Sequence, residues 1–361
     1  MLQMHGGDVF RAAAEAGVSP DEILDFSSNV NVCFLPESVR QALQDAIPAL
    51  SRYPDLASRA LRESAAKKFG VSPECVLAGH GTTEFIYAIP RQLRPRRVLI
   101  LAPCYHDYWR AADQARSEAE GVLASEAEEF VPGFEQLEQR LSGVDMAFIG
   151  NPNNPTGVAL AAEQLRATMV KFPNTIFVVD EALADFVPES LGTSLLGSPL
   201  PENVIVLRSL SLFYGLAGLR LGFMIASSAL CESVERIREP WTVGPIAQAA
   251  GQALLESDTD ASAIRAEVLA ERERVRDELS RMTGLRVFRS QTNFLLLKVT
   301  KPTVSAAQIC ERLLKQNVLI RNTAGFRGLD GKFVRISIRS AADNDKLLDA
   351  MRMAVDESKW K

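Results

Sequence analysis

Residues Val204–Ala226 read VIVLRSLSLFYGLAGLRLGFMIA. An apolar run of strand length, Val204–Leu207, leads into a loop that carries Ser209, Ser211, an aromatic pair, Gly215 and Gly218. The loop closes at Arg220, and a second apolar run, Leu221–Ile225, follows. Two strands joined by hydroxyls, glycines and one arginine are one way an α/β protein grips a phosphate. Hydroxyl and backbone N–H groups donate, and the guanidinium adds a fork. Taken alone, such a loop is more often a plain connection, so the surrounding chain has to decide.

Upstream, strand-length apolar runs alternate with helical stretches. Val76–Ala78 leads into GHGTTE (79–84) and a helix; Arg97–Leu101 leads into APCYHDYWRAA (102–112). Met146–Ile149 leads into NPNNPTG (151–157) and a helix over Leu160–Lys171; Thr175–Val179 ends at Asp180 and Glu181. This βαβ alternation predicts a mostly parallel sheet with helices on both faces. Ligands in such sheets sit at the carboxyl ends of the strands. From GHGTTE onward each polar motif lies just after a strand, which favours a binding site over a connection.

The flanks differ. A helix over Phe10–Ala16, capped by Asp8 and stopped by Gly17, precedes the polar turn DFSSNVN (25–31). Helices over Pro36–Ala49 and Ala57–Phe69 bracket the loop RYPD (52–55). After a long charged helix, Ser262–Met282, short strands are expected at Leu285–Phe288, Phe294–Lys298, Val318–Ile320 and Phe333–Ile338. Helices at Ala306–Gln316 and Ala341–Val355 complete a smaller α/β unit. The division read from this is an N-terminal arm (1–35), a large domain (36–250) and a small domain (251–361).

A chain of 361 residues is long for one core and fits about two domains of ~150 residues. Its net charge of −5 offers no basic excess to neutralise nucleic-acid or membrane phosphates. A local cluster of arginines is still compatible with a small anionic ligand. No apolar run approaches the ~20 residues of a membrane span. MLQMHGGDVF lacks a basic segment followed by an apolar one, so no signal peptide is expected and a cytoplasmic location is. Cys33, Cys75, Cys104, Cys231 and Cys310 are widely spaced, without CxxC, which fits reduced thiols rather than disulfides or zinc. His5, His80 and His106 show no metal-ligand spacing, and no metal is expected.

Two residues stand out chemically. NPNNPTG is first of all a rigid turn, yet it would fix Asn154 for a hydrogen bond to a ligand. Asp180 either caps the following helix or, semi-buried at the sheet rim, faces a ring nitrogen.

NPNNPTG, then VVDEA (178–182), then S-x-S-x-x-x-G-x-x-G-L-R-x-G (209–222), in this order and at these distances, resemble the fold type I pyridoxal-phosphate enzymes. The similarity is closer to the histidinol-phosphate aminotransferase branch. HGGDVFRAAAEAGV…ILDFSSNVN and VLIRNTAGFRGLDGKFVRISIR draw it toward the threonine-phosphate decarboxylases of cobalamin biosynthesis. The resemblance implies a large domain with a mostly parallel sheet, a smaller C-terminal α/β domain, and pyridoxal 5'-phosphate as cofactor. It implies that Asp180 pairs with the pyridinium nitrogen and Asn154 bonds the ring's phenolate oxygen. Tyr105 would stack on one ring face and Ala182 pack on the other. Thr82 and Thr83 at a helix start, with Ser209, Ser211 and Arg220, would form the phosphate cup. Tyr53 would reach the neighbouring subunit's cofactor in a homodimer. Arg335 would grip an amino-acid carboxylate, and Arg321 and Arg339 a second anion such as a phosphate. His5 and Asn29 would close over the substrate from the arm. Arg335 and Arg339, evenly spaced on one expected strand, would share a face.

One position departs from the resemblance. Those enzymes place a lysine directly after the second hydroxyl of the loop, where it anchors the cofactor covalently and moves protons at the substrate's α-carbon. Here that position is Leu212, and no lysine lies between Lys171 and Lys298. The implied activity is a decarboxylase of L-threonine O-3-phosphate, impaired by Leu212. The alternatives are a histidinol-phosphate-type aminotransferase and a relative that binds pyridoxal phosphate without covalent attachment or catalysis. Smaller departures are His80 for asparagine, Leu183 for an aromatic and Val32 for proline.

Overall fold

The structure is a computed structural model that describes residues 5–32, 35–257, 261–356 and 358; Cys33 lies outside them. A seven-stranded sheet runs in the order Val76–His80, Leu221–Ile225, Val204–Arg208, Ile176–Asp180, Met146–Gly150, Arg97–Ala102, Glu118–Leu123. Neighbours are parallel except around Leu221–Ile225, which is antiparallel to both strands beside it. Period-two alternation divides these strands between two cores. Leu99, Ala147, Phe177, Val206 and Phe223 face one core. Ile100, Phe148, Val178, Ile205 and Met224 face the other. Each core is closed by helices, so the strands are buried on both faces and read as continuous apolar runs.

A four-stranded antiparallel sheet, in the order Arg321–Asn322, Phe333–Ser337, Phe294–Val299, Leu285–Val287, forms the second unit. The helices Ala261–Ser280, Ala306–Leu314 and Ala341–Val355 supply its core with Val275, Ile309 and Leu347. The arm is tied to this unit: Leu24–Asp25 pairs in parallel with Val318–Leu319. The arm's helix is Val9–Ala16, capped by Asp8 and ended by Gly17 in the left-handed conformation, as expected.

Several boundaries move. The expected helix Pro36–Ala49 stops at Asp45, and Pro48 leaves a short 3-10 turn at Ile47–Ser51. The expected strand Val318–Ile320 shortens to Val318–Leu319, and a separate strand, Arg321–Asn322, follows it on a different partner. Glu118–Leu123, an edge strand with no apolar run, was not expected. Arg339 lies two residues beyond the strand Phe333–Ser337, so it does not share a strand face with Arg335. The helix Pro245–Glu256 packs Ala250 and Leu254 into the large core.

Candidate active site

The carboxyl ends of the central strands, the arm and the four-stranded sheet enclose a cavity of about 690 Å³. Asp180 ends the buried strand IFVVD. Its Oδ2 accepts a hydrogen bond from Tyr108 Oη at 2.8 Å, and its Oδ1 accepts one from the Ala182 N–H at 3.0 Å. Burial pushes its carboxyl above the usual range, and these two bonds hold it down. Tyr108 is fixed in turn by stacking on Phe148, with ring centroids 5.1 Å apart.

The three asparagines of NPNNPTG have different tasks. Asn151 closes the turn through the Leu160 N–H (2.7 Å) and the Thr193 carbonyl (2.8 Å). Asn153 donates to the Pro103 carbonyl (2.7 Å) and Thr156 Oγ1 (2.9 Å). Both are structural. Asn154 lines the cavity, and its Oδ1 accepts from Arg335 Nη1 at 2.5 Å. Gly157, at φ +75°, is fixed by the second unit: a Cβ there would stand 2.1 Å from Ser290 Oγ.

Thr82 and Thr83 lie in the first turn of the helix Gly81–Leu93. Ser209 and Ser211 face each other with 3.0 Å between their hydroxyls. Arg220 is left-handed at φ 52°, and its guanidinium lies against Gly81. A Cβ at Gly81, itself at φ +74°, would come 2.7 Å from Arg220 Nη2. Gly81→Ala is therefore expected to cost about 1–2 kcal/mol for the backbone alone and to displace Arg220. Denaturant unfolding, with phosphate affinity measured alongside, checks this. A helix start, two hydroxyls and an arginine thus surround one small volume, a donor set suited to a phosphate.

Leu212 is partly buried and lines the cavity. The Asn31 N–H donates to its carbonyl at 2.9 Å, and Asn31 Nδ2 donates to the Phe213 carbonyl at 3.1 Å. The arm and the loop are thus pinned together. No lysine is among the described residues that line the cavity.

The other wall is cationic. Arg335 is buried, its Nη2 donates to the Ser27 carbonyl at 2.6 Å, and its Nε has no partner. Burial and then the nearby Arg321 oppose its charge. Arg321 is also buried and lies over the Phe326 ring. Arg339 lines the cavity too, but pairs with Asp343 (3.2 Å) and donates to the Asp25 carbonyl (3.2 Å). Asn29 is buried on the arm with an unpartnered Oδ1. Tyr105 and His5 line the same cavity. Tyr53 does not: it is 77% exposed and stacks on Trp241 at 4.6 Å.

Two functional positions escape sequence reading. Asp25 organises the arm, accepting at Oδ1 from Ser27 Oγ (2.6 Å) and at Oδ2 from Ser28 Oγ (2.6 Å); Asp followed by two serines was the available signal. Tyr108 shows its role only through Asp180, 72 residues away. The residues present fit pyridoxal phosphate. The phosphate donor set, the buried carboxylate at the strand end and the unpartnered polar atoms around them surround one cavity.

The chain is 35% identical over 353 residues to a threonine-phosphate decarboxylase of Salmonella typhimurium, covering 96% of this chain and 95% of that protein. It is 31% identical over 350 residues to a histidinol-phosphate aminotransferase of Methylobacillus flagellatus, covering 96% and 92%. The histidinol-phosphate aminotransferase structure from Clostridium acetobutylicum superposes with a TM-score of 0.86 at 26% identity, covering 93% of this chain and all of that one. The family model for aminotransferase class I and II matches residues 21–351. The chain belongs to the aminotransferase class I and II family, a family of pyridoxal-phosphate-dependent enzymes with a mostly parallel central sheet.

Proposed function

We propose that the chain binds pyridoxal phosphate without a covalent link and takes L-threonine O-3-phosphate as its amino-acid ligand, with little or no turnover. The observation that carries this reading is a cavity rich in anion donors whose lining, among the described residues, includes no lysine. Bound pyridoxal phosphate would supply a ring that draws electrons from the substrate's α-carbon. Asp180 would hold the ring-nitrogen proton, Asn154 the phenolate oxygen, and Thr82, Thr83, Ser209, Ser211 and Arg220 the phosphate; Tyr105 and Ala182 would flank the ring. Arg335 would orient the ligand's carboxylate, Arg321 and Arg339 would hold its phosphate, and His5 and Asn29 would shield it from water. Leu212 can neither hold a covalent bond nor move a proton.

A second reading, a histidinol-phosphate-type aminotransferase, draws support from the 31% identical relative and from the superposed structure. Product analysis of the Leu212→Lys variant separates the two substrate readings: carbon dioxide release supports threonine phosphate, and keto-acid consumption the aminotransferase. Borohydride reduction followed by intact-mass measurement tests the missing anchor, and a cofactor adduct on this chain would refute the proposal.

We also propose a homodimer in which Tyr53 serves the neighbouring cofactor; the division expected after residue 250 would split the helix Pro245–Glu256, whose Ala250 and Leu254 pack into the large core, so we place it after Glu256. Among the described residues no helix is long and apolar enough to cross a membrane. Tyr108→Phe keeps the stack on Phe148 but removes the phenol donor from Asp180. A hydrogen bond to a charged group contributes about 1.5–3 kcal/mol, so pyridoxal phosphate affinity is expected to fall at least about tenfold. Fluorescence titration measures it.

A further inference from the structure

The helix Gly81–Leu93 carries Thr82 and Thr83 into the cavity from its first turn, with Glu84 next to them. Glu84 Oε2 accepts a hydrogen bond from the His80 N–H at 2.5 Å, and its Oε1 accepts one from Arg238 Nε at 2.6 Å. Arg238 follows the helix Ser228–Glu235, 154 residues further along the chain. Its Nη2 donates to the Ala78 carbonyl (2.6 Å) and to Thr242 Oγ1 (2.9 Å), and its Nη1 to Glu235 Oε2 (2.6 Å). Every nitrogen of the guanidinium thus has a partner, and the group lies over Phe85, 5.1 Å from the ring centroid. The Glu84 side chain is 13% exposed and that of Arg238 8%, so solvent screens the pair weakly. A Cβ at Gly79 would stand 2.9 Å from Glu84 Oε2. The carboxylate therefore packs directly on the strand that leads into the helix.

Neither Glu84 nor Arg238 lines the ligand cavity. Arg238 lines a separate cavity of about 200 Å³ with Trp241 and Thr242. The charges of the pair nevertheless bear on the ligand. The positive end of a helix favours an anion near its first turn. Glu84 supplies one such anion from within the chain, and a cofactor phosphate would be a second. Two anions at one helix start repel each other, strongly where water is scarce. Arg238 offsets the first of them. Its other ionic partner, Glu235, has a side chain that is 46% exposed, so water screens that charge.

We infer that Arg238 is a positioning residue for the cofactor phosphate: by holding and neutralising Glu84, it leaves the start of the helix Gly81–Leu93 free to bind an anion. The inference rests on the reading of that helix start as the phosphate cup. A purely structural ion pair would fix the junction of strand and helix without changing the preference for a phosphorylated ligand.

The test is calorimetric titration of the full chain with pyridoxine 5'-phosphate and with pyridoxine. Neither probe has an aldehyde, so surface lysines do not compete. The measurement is made at about pH 8, where an unpaired carboxylate stays charged, and the preference is the ratio of the two affinities. Arg238→Met keeps an apolar stem over Phe85 but leaves Glu84 uncompensated, and the preference should fall roughly tenfold or more. Glu84→Gln keeps an acceptor for the His80 N–H and leaves Arg238 in charge excess, so the preference should rise about threefold or more. The double variant should return to within about threefold of the parent chain. An unchanged preference in Arg238→Met, or a double variant as weak as Arg238→Met, would overturn the inference. A fall in Glu84→Gln would overturn it too, and this arm decides the matter if Arg238→Met does not fold. If Arg220→Gln abolishes the parent's preference while Arg238→Met leaves it intact, the cup stands and the role of Arg238 falls. If the parent chain shows no preference, both fall.

Discussion

Leu212→Lys is expected to raise turnover of L-threonine O-3-phosphate by on the order of a thousandfold or more, since a positioned proton-transfer group alone contributes roughly 10²–10⁴-fold. The substitution places an amine in a cavity whose lining, among the described residues, includes no lysine. The loop should not move to accept it, because Asn31 pins the backbone at Leu212 and Phe213. Partial burial and the cavity's arginines both disfavour the ammonium form, which keeps the new amine reactive. Borohydride reduction should then give a covalent cofactor adduct in the variant and none in the parent chain. Equal turnover by parent and variant would remove the central claim about position 212.

Arg335→Gln is expected to weaken binding of the amino-acid ligand by roughly thirtyfold or more, since losing one partner of a buried charge pair costs about 2–5 kcal/mol. The effect on the unliganded protein should be opposite or small. Without ligand the guanidinium is buried beside Arg321, bonded only to neutral partners at Asn154 and Ser27, and its Nε has no partner. Removing such a charge relieves desolvation. Calorimetric titration should therefore show the affinity loss, while the melting temperature of the unliganded chain stays level or rises. Arg335→Lys should recover only part of the affinity, because an ammonium cannot bond Asn154, Ser27 and a carboxylate in the same fork geometry. A melting temperature that falls in parallel with affinity would assign Arg335 a structural role instead.

The sheet was legible in the chain because its strands are buried on both faces. Runs such as FVVD and VIVL leave no other reading between turn signals. The edge strand Glu118–Leu123 escaped for the converse reason, since a strand exposed along one side needs no apolar run. Pro48 was visible, but its consequence, a helix ended at Asp45, depended on the 3-10 turn that forms around it. Arg339 shows the limit of spacing arguments: even spacing from Arg335 was real, yet the strand ends at Ser337.

At the site, the sequence by itself placed the hydroxyl–arginine loop, the carboxylate of Asp180 and Leu212 near strand ends, because each belongs to a short contiguous motif next to a strand. Only the tertiary structure decided what Asn151 and Asn153 of NPNNPTG bond, that Tyr108 holds Asp180, and that Asn31 pins the loop at Leu212. It alone set His5 against His106, 101 residues apart in the chain. These are contacts between segments apart in the chain, formed within the seven-stranded unit for Tyr108 and Asp180 and by the arm packing over the strand ends for Asn31 and His5. Local pattern carries no information about them, because the same residues satisfy the same turns and helices whether or not their partners arrive.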